Sequence, residues 1–87
     1  MKVSVWDTYV QRKDGKTMHF DILVPSILND EEKIFQYGNQ YLSSKSFETD
    51  ELNSKKCNFC HIEKASEAVI NEIVKQGYSI IEMENCH

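Results

Sequence analysis

Val3-Ser4-Val5-Trp6-Asp7-Thr8-Tyr9-Val10-Gln11-Arg12, then Lys13-Asp14-Gly15-Lys16, then Thr17-Met18-His19-Phe20-Asp21-Ile22-Leu23-Val24: two alternating runs rich in β-branched and aromatic residues flank an Asp-Gly pair. Alternation at a period of two marks a half-buried strand, and Asp-Gly supplies the positive φ angles that a two-residue hairpin turn demands. The stretch predicts a β-hairpin. With Asp14 and Gly15 as the turn residues, Arg12 faces Thr17, Val10 faces His19, Thr8 faces Asp21 and Trp6 faces Leu23. One face then carries Val3, Val5, Asp7, Tyr9, Phe20, Ile22 and Val24, and the other carries Ser4, Trp6, Thr8, Val10, His19, Asp21 and Leu23. The first is the expected core face. Asp7 on that face should be at least partly buried and hydrogen-bonded, because an unpaired buried carboxylate is costly.

Asn29-Asp30-Glu31-Glu32 reads as a helix start, with Asn29 as N-cap and Glu32 at the capping-box position. Ile34, Phe35, Gly38, Tyr41 and Leu42 follow at helical spacing. Gly38 costs up to about 1 kcal/mol against alanine inside a helix, so its expected use is a close approach to the sheet. Ser43 to Asn53 reads as a polar loop running into a short strand near Glu51 to Lys56, which ends in a Cys57-Asn58-Phe59-Cys60-His61 turn. A second helix begins near Ser66, is carried by Val69, Ile70, Ile73 and Val74, and closes at Gly77; Tyr78 to Glu84 is the last strand.

The expected fold is α+β in the order ββαβαβ, residues 1–87 forming a single domain: a four-stranded mixed sheet with two helices packed on one face. Strand, helix and strand in one sheet make a crossover, and crossovers join parallel strands. The third and fourth strands should then end on the same side, with Cys86 on the same sheet edge as the Cys57 to His61 turn.

A chain of 87 residues has room for one core and buries only roughly 60–65% of its unfolded surface, so a metal, a disulfide or a second copy in a homo-oligomer would add stability. Hydrophobic residues make up 40% and charged residues 28%, which is a globular rather than a disordered composition. The net charge is −4 and Arg12 is the only arginine, so no basic stripe exists to neutralise a run of phosphates and nucleic-acid binding is disfavoured. Asp7 interrupts the N-terminus before an apolar signal segment could form, and no stretch approaches the ~20 apolar residues of a membrane span. The expectation is a soluble cytoplasmic protein with reduced thiols, and three cysteines do not make a disulfide framework.

The chemistry-bearing candidate is the cysteine turn. Two thiols separated by two residues can grip a metal, join to each other, or attach to haem vinyl groups. Haem attachment of this type occurs outside the cytoplasm, and the chain has neither export signal nor evident distal ligand. Zinc needs four donors: Cys57 and Cys60 form the usual two-thiolate knuckle, and Cys86 with His61, or with His87, completes the set. Thiol-disulfide chemistry at Cys57 and Cys60 is the alternative, with His61 and the following helix available to favour the thiolate. The third possibility is an apolar plug of cysteines and Phe59 with His61 solvated. Asp7, His19 and Asp21 form a second constellation, which the hairpin register splits, leaving only His19 and Asp21 on one face. With no phosphate loop and no nucleophile motif, the sequence points to a binding or accessory protein rather than an enzyme.

Val5-Trp6-Asp7-Thr8-Tyr9-Val10, Asp14-Gly15, Met18-His19-Phe20-Asp21, Cys57-Asn58-Phe59-Cys60-His61, Gly77-Tyr78 and Met83-Glu84-Asn85-Cys86 together resemble a small bacterial family known as a domain of unknown function, DUF2024. The resemblance covers nearly the whole chain, departing from the expected pattern at Gly38, where alanine is expected, and in the Ser43 to Glu48 loop. It implies two helices with a four-stranded sheet, and it brings no activity, ligand or site residue.

Overall fold

The hairpin forms the centre of the sheet. In a computed structural model describing residues 1–87, β1 (Lys2–Gln11) pairs antiparallel with β2 (Thr17–Pro25). The turn holds three residues rather than two. Gly15 N donates to Arg12 O at 3.1 Å, Arg12 N donates to Lys16 O at 2.7 Å, and Gly15 sits at φ +96°, the arrangement of a type I turn closed by a left-handed glycine. One extra turn residue moves every partner by one, so Val10 lies opposite Met18, Thr8 opposite Phe20 and Trp6 opposite Ile22. This corrects the expected register. Because side chains alternate, the slip transfers the whole of β2 to the other face relative to β1.

Each face consequently has its own core. Trp6, Val10, Met18, Phe20, Ile22 and Val24 pack with Ile34 and Leu42 of α1 (Glu31–Ser43), whereas Val3, Val5 and Leu23 pack with Ile73 of α2 (Glu67–Gln76). The helices therefore cover opposite faces of the sheet, not one. α1 is capped by Asp30, one residue later than expected, whose carboxylate accepts from Glu32 N and Lys33 N; α2 is capped by Ser66 and closed by Gly77 in the left-handed conformation.

The third strand is the cysteine segment itself, β3 (Cys57–Lys64), and not the residues before it. β3 pairs antiparallel with β1, β4 (Ser79–Glu84) pairs antiparallel with β2, and the spatial order is β3-β1-β2-β4. The sheet is thus wholly antiparallel rather than mixed. The reason lies in α2. Lys64, at the end of β3, pairs with Lys2, and Ser79, at the start of β4, pairs with Leu23, so both lie at the open end of the hairpin. α2 has 10 residues and is about 15 Å long, which matches the ~14 Å width of four strands. It crosses the strands at that end instead of running back along them, so β4 begins where β3 stopped. The other half of its sheet face, near the hairpin turn, is left without a helix.

Gly38 sits where α1 meets the sheet. A Cβ built there would collide with Leu52 Cδ1 and lie 2.9 Å from Ile22 Cδ1, so the expected close approach is what the glycine provides. Gly38→Ala gains about 1 kcal/mol of helix propensity but overpacks this contact by roughly 1–3 kcal/mol. A net loss of about 1 kcal/mol is expected in urea unfolding, and an unchanged or higher midpoint would contradict the packing. No helix is long and apolar enough to cross a membrane.

Candidate functional site

The uncovered half-face carries Asp7, Tyr9, His19 and Asp21 of the hairpin. Asp7 and Asp21 are directly opposite across β1 and β2, and Tyr9 is opposite His19. The corrected register thus reunites Asp7 with His19 and Asp21, the constellation that a two-residue turn would have divided. His19 Nε2 lies 2.5 Å from Asp7 Oδ1, and the Tyr9 and His19 rings stack at 4.2 Å with 9° between their planes. The donor atoms of Asp7, His19 and Asp21 all fall within 4.8 Å of one another. Asp7 is half-buried and hydrogen-bonded as expected, although its face is shared with His19 and Asp21 instead of Phe20 and Ile22.

Two facing carboxylates in a partly desolvated place resist double ionisation. Burial, and then the neighbouring Asp7 carboxylate, push Asp21 up to about 6, against smaller opposing effects of His19 and His61. A carboxyl whose folded-state value is raised loses stability as pH climbs from the unfolded value near 4 to the folded value near 6. Below that window the acid is neutral in both states. Asp21→Asn is therefore expected to raise the melting temperature at pH 7.5 and to leave it nearly unchanged at pH 3.5. Equal melting temperatures for both proteins at pH 7.5 would show that the carboxylates do not oppose one another.

The cysteines are dispersed. Cys57 is buried on the α1 face, its thiol pushed up by burial while Thr8 Oγ1 donates to its sulfur at 3.3 Å. Cys60 is exposed, as is all of the edge strand β3 after Cys57, and it sits in a bulge: Trp6 lies opposite Phe59 and Val5 opposite His61, so Cys60 is the extra residue. Cys86 is buried just beyond β4 on the other edge, with Sγ 3.5 Å from His19 O. It lies at the same end of the sheet as Cys57, since β3 and β4 are antiparallel, but β1 and β2 stand between them, a separation of about 14 Å. The shared edge expected for Cys57, Cys60, His61 and Cys86 is not formed, and all three thiols are free. His87 Nε2 lies 3.4 Å from Glu82 Oε1.

No surface recess reaches Asp7, His19 or Asp21; the largest hollows lie beside β4, lined in part by Tyr41, Gln76 and Glu82, and beside the loop after α1. A flat polar cluster suits an ion better than an organic substrate. The sequence pointed to these three residues but assigned them to different faces. The signal that reunites them is the apolar alternation Met18, Phe20, Ile22, Val24, which places His19 and Asp21 on the face opposite the main core.

Fold and site define a small antiparallel α+β sheet protein with one helix on each face and a carboxylate–imidazole cluster on the half-face left open. The chain belongs to the family described as Domain of unknown function (DUF2024), whose model matches residues 1–83. Among solved structures it is similar to the NMR structure of protein NE1680 from Nitrosomonas europaea, a Northeast Structural Genomics Consortium target, with 42% identity, a TM-score of 0.85 and 100% of both chains covered. No curated protein matches the chain.

Proposed function

We propose that this chain is a small cytoplasmic binding protein that holds a divalent transition metal, zinc in the first instance, through Asp7, His19 and Asp21. The observation that carries the reading is the convergence of two carboxylates and one imidazole within 4.8 Å on an otherwise bare sheet face. Imidazole nitrogen and carboxylate oxygen are ordinary zinc donors at roughly 2.0–2.2 Å, which sets donor–donor separations of about 3.4 Å for a tetrahedral ion. The His19–Asp7 contact has only to open slightly and the third donor to close in. Metal charge also relieves the repulsion that raises Asp21. Three protein donors leave a position for water or for a group on a partner.

The thiolate site on Cys57, Cys60, His61 and Cys86 is the competing location, and it requires donors from both edges of the sheet to come together. Metal-free protein titrated with zinc chloride at pH 7.5 is expected to bind one ion per chain and to melt at higher temperature, with the gain lost at pH 5 as Asp21 protonates. Zinc binding retained in Asp7→Asn and abolished in Cys60→Ser would return the metal to the cysteines.

A further inference from the structure

The bulge at Cys60 has a chemical result. In a regular strand consecutive side chains point to opposite faces, so Cys60 and His61 could not meet. With Cys60 as the extra residue, its Sγ lies 3.2 Å from His61 Nδ1, and His61 Nε2 lies 2.6 Å from Glu63 Oε1. A carboxylate only accepts, so Nε2–H donates to Glu63 and Nδ1 is left as the acceptor for the Cys60 thiol. Nucleophile, base and orienting carboxylate thus stand in line on an exposed edge strand. We propose that Cys60 is a thiol-exchange site that forms a mixed disulfide with low-molecular-weight disulfides, with His61 as its base and Glu63 as the positioning residue.

The step balances within those groups. The Cys60 proton moves to His61 Nδ1, the sulfur attacks one sulfur of the small disulfide, and that S–S bond breaks as the protein–small-molecule S–S bond forms. The leaving thiolate takes the proton from His61, so Cys60 is oxidised and half of the small disulfide is released as a thiol. Cys57 takes no part: it is buried on the α1 face and bonded by Thr8, whereas Cys60 is exposed. None of the three residues belongs to the proposed metal centre, so either proposal can fail alone.

The probe is oxidised glutathione added in excess to the native full chain, read by intact mass and peptide mapping. A single glutathione adduct on Cys60 is expected, lost in Cys60→Ser and slowed about tenfold in His61→Gln. Glu63→Ala should slow it severalfold and Glu63→Gln, which still accepts from Nε2–H, should restore most of the rate. All three side chains are exposed, and circular dichroism reports whether the variants keep the fold. First modification at Cys57 or Cys86, a Cys57–Cys60 disulfide in place of the adduct, or a rate indifferent to His61→Gln would each overturn the assignment.

Discussion

Arg12→Ala is expected to destabilise the protein by about 3 kcal/mol, a fall of roughly 15 °C in melting temperature for a chain of this size. Arg12 is 7% exposed, and its guanidinium closes the C-terminal end of the molecule. Nη1 donates to Asn85 O at 3.1 Å and His87 O at 2.9 Å, Nη2 donates to Asp14 Oδ2 at 2.6 Å, and the group lies 3.7 Å over the Phe47 ring. Truncation removes a charged donor from these carbonyls and leaves a void against Phe47, two of the mechanisms that produce large losses. Asp14→Asn is the control: Asp14 is about half exposed, and exposed ion pairs contribute no more than about 1 kcal/mol. Chemical denaturation of both variants checks the ranking, and a loss below 1 kcal/mol for Arg12→Ala would show that the tail is not held through Arg12.

His19→Gln should weaken zinc binding by on the order of a hundredfold or more, measured by competition with a chromophoric chelator. His19 is the only nitrogen donor of the cluster, and two carboxylates alone make a poor zinc site. Tyr9→Leu is the graded comparison. It removes the ring stacked on His19 but no donor, so the loss should stay within the tenfold to hundredfold range of an outer-shell change. Zinc affinity within threefold of wild type in His19→Gln would remove the carboxylate–imidazole cluster from consideration and leave the ion elsewhere.

Much of the architecture was written in local pattern. Period-two alternation around Asp14-Gly15 announced the hairpin, Ser66 and Gly77 bounded the second helix, and Gly38 declared its close approach, because turns, caps and helix contacts act over a few residues. The cysteine strand was hidden for an equally local reason. Cys57, Phe59 and Ile62 alternate with Asn58, His61 and Glu63 only when Cys60 is omitted, and a bulge is invisible to a count of twos. The candidate site was hidden by a single residue in the turn. Sequence alone determined that β1 and β2 form a hairpin and that Asp7, His19 and Asp21 are among its polar residues. Only the tertiary structure decided that they share a face, since a one-residue change in turn length reverses every side chain of one strand. It alone also left that face open, because α2 is long enough to cross four strands at one end of the sheet and too short to cover the other.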